Sequence, residues 1–257
     1  MGRFLAAIAV SLGLSIMSVA AIAAAPDLAA LRVPPGAKIE VWADGVANAR
    51  SMARSTLGTV FVGTRTGGGR VYAVRTRTDG SREVLTIASG LNTPNGVAYR
   101  KGALYVAEID RILRYDDIDN RLQAPPSPVI VTTLPGERHH GWRYMAFGPD
   151  DKLYVAIGAP CNVCDRDKEG YATLVRMNAD GSGREVVARG VRNSVGFTWH
   201  PRTRELWFTD NGRDMLGDDV PPCELNRLST PGEHFGFPFC HGADVRDPEF
   251  GSLGRCD

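Results

Sequence analysis

Four short loops carry most of the side chains in this sequence that could do chemistry: Thr93–Gly96 (TPNG), Glu137–Trp142 (ERHHGW), Arg192–Gly196 (RNSVG) and Thr209–Asp214 (TDNGRD). His140, beside His139, is an imidazole able to take a proton from an alcohol near neutral pH. The plain alternative is a half-exposed loop histidine. Arg192 offers a rigid fork of donors suited to carboxylates, and Asn193 adds amide contacts; loop arginines are also ordinarily solvated. The run TDNGRDMLGDDVPPCELN brings Asp210, Asn211, Asp214, Asp218, Asp219 and Glu224 close together in sequence. Carboxylate, amide and backbone oxygens around a glycine turn suit calcium, although the spacing is not that of an EF-hand loop. A solvated acidic loop is the competing reading.

These loops need a scaffold, and the chain supplies one by repetition. TVFVGT, ALYVAE, KLYVAIG and ELWFTDN centre on Phe61, Tyr105, Tyr154 and Trp207, at intervals of 44, 49 and 53 residues. A strand-like piece and a turn precede each (ARSTLG, GVAYRKG, MAFGPDD, FTWHPRTR), and two more strand-like pieces follow the first three. Four short strands per unit of roughly 45 residues predict the blades of a β-propeller, which bury their faces by stacking around a channel. The expected fold is all-β, with a propeller domain over 38–257. KIEVWADGV, from Lys38, reads as the outer strand of a blade closed from the other end of the chain. The sequence then carries about four blades of a six-bladed ring and is expected to be truncated at its C-terminus. Three of the four loops fall just before an innermost strand and the fourth follows a central strand, so all should converge at one mouth of the channel.

Composition narrows the function classes. A net charge of +1 gives no basic stripe for nucleic acid. Arg3 followed by the apolar run Phe4–Ala25, ending in small alanines, reads as an export signal over 1–25, with a linker over 26–37. A retained anchor is the alternative, since the run is long enough to span a bilayer. After signal removal nothing else would insert stably in a membrane, and the protein is expected to be periplasmic or secreted. An oxidising compartment favours disulfides. Cys161–Cys164, in CNVC, and Cys223–Cys240 are the expected pairs, leaving Cys256 without a partner. A haem site would need His after CNVC, and Asp165 stands there.

Together, the segments HHGWRYMAFGPDDKLYVAIG and RNSVGFTWHPRTRELWFTDNGRD, followed by ELN and HFGFP, resemble the soluble quinoprotein sugar dehydrogenases, most closely the L-sorbosone dehydrogenase branch. The resemblance runs from about Lys38 onward and implies a six-bladed propeller binding pyrroloquinoline quinone and Ca2+. His140 matches that family's catalytic base. Arg192 and Asn193 match its cofactor-contacting pair, and Asn211 and Gly212 its cofactor- and calcium-holding loop. Glu224 and Asn226 match a D-E-x-N motif whose first acidic position is Cys223 here, which leaves Asp218, Asp219 or Glu224 as the carboxylate at the metal beside the Gly212 carbonyl. The family's later lysine and arginines, which pair with the quinone's carboxylates, have no counterpart before Asp257. The implied reaction oxidises the hydroxyl or hydrated aldehyde of a sugar by hydride transfer to the quinone, with electrons passing on to an external acceptor. The alternatives are a calcium-dependent lactonase, suggested by TPNG and TDN, and a non-catalytic interaction propeller.

Overall fold

A computed structural model describes residues 27–66 and 68–254. The expected export run and Cys256 lie outside the described residues. The chain divides into two units, the first reaching Val41 and the second starting at Trp42. Among its described residues the first carries the 3-10 turn Leu28–Ala30, capped by Asp27, whose side chain accepts from the Ala29 N–H at 3.0 Å.

The second unit is built of antiparallel sheets in the four-blade arrangement of a propeller. The first blade is β1 (Ala49–Arg54), β2 (Val60–Thr64), β3 (Val71–Thr76) and β4 (Arg82–Ala88). The second is β5 (Gly96–Arg100), β6 (Ala103–Ala107), β7 (Arg111–Tyr115) and β8 (Val129–Thr133). The third is β9 (Met145–Phe147), β10 (Leu153–Ile157), β11 (Thr173–Met177) and β12 (Glu185–Arg189), and the fourth β13 (Phe197–Trp199), β14 (Leu206–Asp210) and β15 (Glu224–Arg227). β16 (Glu233–His234) adds to β12 in parallel, and β17 (Cys240–His241) pairs with β18 (Val245–Arg246). Among the described residues no helix is long and apolar enough to cross a membrane.

The second strands of the second and third blades, β6 and β10, are apolar throughout because both their faces are buried, and side chains alternate between faces. In β6, Ala103, Tyr105 and Ala107 enter the core shared with the third blade, whereas Leu104 and Val106 enter the core shared with the first. β10 divides in the same way: Leu153, Val155 and Ile157 face one core, Tyr154 and Ala156 the next. The recurring aromatic of the sequence marks these seams. Phe61 of β2 stacks on Tyr99 of β5, Tyr105 of β6 meets Phe147 of β9, and Tyr154 of β10 meets Trp199 of β13, with ring centroids 6.0, 5.0 and 4.9 Å apart. Each such pair contributes about 0.5–1.5 kcal/mol beyond the area it buries.

The segment KIEVWADGV forms no strand, contrary to the sequence pattern. Within the second unit its Trp42 stays exposed, while Ala43 and Val46 pack by their side chains against Val62, Tyr72 and Val74 without joining a backbone ladder. Trp42 instead takes the Arg82 guanidinium at 4.7 Å from its ring. The first blade draws its innermost strand from Ala49–Arg54.

Candidate functional site

Antiparallel pairing places the start of each innermost strand beside the end of the second strand. Val97 faces Val106, Met145 faces Val155, and Phe197 faces Phe208. Counting five residues back from the first member of each pair lands on Asn92, His140 and Arg192, which are therefore equivalent positions in three successive loops.

Two of these loops are closed by a buried carboxylate at the foot of the second strand. Glu108 accepts from the Asn92 N–H. Asp210 accepts from the Arg192 N–H at 2.8 Å and from the Asn193 N–H at 2.6 Å. Burial pushes the Asp210 carboxyl up to about 7, nearby Glu224 adds to the rise, and the two N–H donors oppose it.

The third blade has Ile157 where the others have a carboxylate, and its loop is held differently. Gly158 lies so close to His140 that a Cβ there would meet the His140 Cβ at 2.6 Å and its carbonyl oxygen at 2.9 Å. His140 itself has φ +49°, a left-handed conformation that costs a non-glycine residue energy and persists where packing fixes it. Its Nδ1 lies 2.9 Å from the Ala159 carbonyl oxygen. A carbonyl only accepts, so Nδ1 carries the proton and Nε2 the lone pair. Among the described residues Nε2 has no hydrogen-bond partner. Burial, then the Arg192 and His139 charges, hold the imidazole down at about 4, against smaller upward pulls from the Ala159 bond and Asp214. At neutral pH His140 is an uncharged base.

Arg192 is buried and all five of its N–H donors are spent within the protein. Nε bonds the Asn162 carbonyl at 2.8 Å, and Nη1 bonds the carbonyls of Asn211 and Gly212 at 3.1 and 2.6 Å. Nη2 bonds the Asn162 side-chain oxygen at 2.8 Å and Asp214 at 3.1 Å. Arg192 therefore gathers the Asn211 and Gly212 backbone around itself, while Asp210 holds the Asn193 N–H. The acidic positions are not gathered. Asp218 and Asp219 are exposed, while Glu224 accepts from the Asn226 side chain at 2.8 Å and from the Gly242 N–H at 2.7 Å. Among the described residues no three His, Cys, Asp or Glu side chains stand as a metal-binding group.

The first loop joins through Asn95, whose Nδ2 donates to the Arg143 carbonyl at 2.8 Å. Arg143 is buried, donates from Nε to the Ile109 carbonyl at 3.0 Å and from Nη2 to the Pro135 carbonyl, and has no hydrogen-bond partner at Nη1. Burial lowers it to about 10. Arg65, from the β2–β3 loop, stacks 3.2 Å above Trp142. Neither arginine stood out in the sequence. Asn162 was visible there only as a letter between two cysteines.

The cysteines partly follow expectation. Cys161 and Cys164 are bonded. Cys223 is free and exposed while Cys240 is engaged in a disulfide, so the expected Cys223–Cys240 pair does not form. Cys223 leads into β15 and stands out toward solvent, whereas Cys240 is buried at the start of β17.

Residues 31–249 match the sequence family described as TrAA12-like, which spans well over half of the chain. The chain belongs to the TrAA12-like family. This TrAA12-like chain is 32% identical over 241 residues to an uncharacterised protein of Borreliella burgdorferi, covering 89% of this chain and 62% of that protein. It therefore spans about three fifths of that relative's length. In fold it is similar to the Trichoderma reesei enzyme of carbohydrate-active family AA12, with a TM-score of 0.67, 20% identity, and coverage of 82% of this chain and 60% of that one. It is likewise similar to the PQQ-bound aldose sugar dehydrogenase of Streptomyces coelicolor, with a TM-score of 0.63, 22% identity, and coverage of 82% and 69%. At these identities the solved structures establish the shared propeller of the TrAA12-like chain.

Proposed function

We propose that this chain is a quinoprotein oxidoreductase that oxidises the hydroxyl or hydrated aldehyde of a sugar, with His140 as the proton acceptor. The observation that carries the reading is the His140–Ala159 bond, which fixes the tautomer and leaves the Nε2 lone pair unshared at a mouth where three blade loops meet. Family membership and the fold shared with a PQQ-bound sugar dehydrogenase support the substrate class.

The residues present fit a planar, anionic quinone in part of its needs. Arg65 over Trp142 and the unpartnered Nη1 of Arg143 are cationic groups with donor capacity to spare, and His140 offers an acceptor. Arg65 and Arg143 would hold the group through their charge and free donors. Arg192, its donors spent, would act through its charge. Bound there, the quinone supplies the acceptor for hydride. His140 Nε2 takes the substrate's hydroxyl proton as the carbon–hydrogen bond breaks, and burial keeps the ring uncharged and ready to do so. The residues do not fit a calcium ion: Asp218 and Asp219 are exposed, Glu224 accepts from Asn226 and Gly242, and the Asn211 and Gly212 carbonyls accept from Arg192. The lactonase alternative needs a metal, and among the described residues no three His, Cys, Asp or Glu side chains gather to hold one. The run Phe4–Ala25 and the Cys161–Cys164 disulfide support an exported protein.

The test is reconstitution of the purified chain with pyrroloquinoline quinone, followed by dye reduction with aldoses and sugar aldehydes. Quinone-dependent reduction that disappears in His140→Ala is expected. Absence of both quinone uptake and dye reduction in the unaltered chain would overturn the reading.

A further inference from the structure

Asn162 lies between the two cysteines of the Cys161–Cys164 disulfide and is the meeting point of the hydrogen bonds that hold this mouth together. Its carbonyl accepts from Arg192 Nε at 2.8 Å. Its Oδ1 accepts from Arg192 Nη2 at 2.8 Å and from the Asp214 N–H at 2.9 Å. Its Nδ2 donates to the Asp214 carbonyl at 3.0 Å. One amide thus grips an arginine of one loop and the backbone of another on both its donor and acceptor sides.

The grip is transmitted. The Arg192 carbonyl accepts from the Ala159 N–H at 2.7 Å, and the Ala159 carbonyl accepts from the His140 ring. Ala159 and Asn162 belong to one short loop, and its flanks are anchored: Cys161 and Val163 pack against buried Ala159, Ala172 and Phe237. The disulfide closes the turn around Asn162, so the amide cannot swing away without opening that packing. The charged groups facing His140 are Arg192, His139 and Asp214, and Asn162 pins two of these three.

We propose that Asn162 is a positioning residue: held by the Cys161–Cys164 cross-link, its amide fixes Arg192 and Asp214 and so sets the orientation and the electrostatic surroundings of the His140 ring. The proposal rests on His140 being the reactive base, and its test reads His140 directly, without quinone or substrate. Failure of dye reduction would therefore count against the proposed function and leave this relationship standing.

The experiment is an NMR titration of the imidazole resonances in the unaltered chain, in Asn162→Ala and in Asn162→Gln, with His140 assigned by its loss in His140→Ala. Asn162→Gln keeps the amide but sets it one methylene further out. In the unaltered chain His140 is expected to titrate near 4. In both variants it is expected to move up toward its ordinary value by about one unit or more, because Arg192 loosens and water reaches the ring. Cys161→Ser/Cys164→Ser should move it in the same direction. An unmoved His140 in a folded variant, whatever the change in melting temperature, would make Asn162 merely structural and overturn the proposal. Loss of the native near-UV signal in both Asn162 variants would overturn it too, by making Asn162 a residue the fold requires.

Discussion

His140 donates its Nδ1 proton to the Ala159 carbonyl oxygen across 2.9 Å, and this single bond decides which ring nitrogen is left to react. A histidine two residues before Trp142 could have presented either nitrogen. Because Ala159 lies two residues past the end of β10, the scaffold of the third blade, rather than the loop carrying the histidine, selects Nε2.

Replacing His140 by alanine should lower quinone-dependent dye reduction by about 10²–10⁴-fold, the usual contribution of a positioned base. Quinone uptake, followed by absorbance, should survive, because His140 is half-buried on a loop and the cationic donors lie elsewhere. Uptake lost along with turnover would assign His140 to cofactor binding.

The pH dependence should be displaced to acid. His140 is held at about 4 against an ordinary 6.5, so it stays uncharged through the whole mildly acidic range. The rate at saturating substrate should hold as pH falls through the ordinary histidine range and drop only near 4. The linked effect on stability has a fixed sign: between those two values the unfolded chain binds a proton that the folded chain refuses, so this residue makes the fold weaker as pH falls. Urea midpoints across that window, compared with His140→Ala, measure it.

Gly158→Ala tests the close approach between the two loops. A Cβ at Gly158 would meet the His140 Cβ at 2.6 Å with backbone close behind, so His140 must move. A loss of about 1–3 kcal/mol of stability is expected from the overpacking, together with a fall in turnover larger than that in quinone affinity. Retained turnover would show that the ring tolerates displacement.

Asp210→Ala removes the acceptor of two backbone N–H groups. Leaving buried donors unsatisfied costs about 1–3 kcal/mol each, and urea unfolding should register a loss of that order. Asp210→Asn should change the pH profile instead. The folded carboxyl titrates at about 7, well above its ordinary 3.8, so the folded state holds a proton the unfolded state lacks between those values. Stability from this residue declines as pH rises through about 7, and the asparagine variant should lose that decline.

Cys223 should react with a thiol reagent in the native protein, since it is free and exposed. Peptide mapping should recover the label on the segment carrying Cys223, and Cys223→Ser should melt as the unaltered chain does. A protected Cys223 would restore the pairing with Cys240.

The repeats were legible because a propeller's second strand is buried on both faces and carries its aromatic to each seam. Phe61, Tyr105 and Tyr154 announced themselves by spacing, and the DG turns and FGPD marked where strands must reverse. KIEVWADGV misled because a strand-like pattern states only that a segment could pair; pairing needs a neighbour, and sequence periodicity does not supply one. The cysteine pairing failed for a related reason. A cysteine has one sulfur to share, and that of Cys240 is engaged in a disulfide while Cys223 stands free and exposed.

The same division runs through the site. The sequence by itself determined the blade repeat, the loops that carry reactive side chains, and His140 as the base candidate, because strand alternation and turn chemistry are local properties. Only the tertiary structure decided what those groups are free to do. Arg192 looks in sequence like an open fork for an anion, yet every donor is taken by carbonyls and side chains of loops distant along the chain. Asp218 and Asp219 stand exposed, and Glu224 spends its oxygens on the Asn226 side chain and the Gly242 N–H. Hydrogen-bond capacity is finite and is consumed in space, so which groups remain unspent is a property of the folded chain.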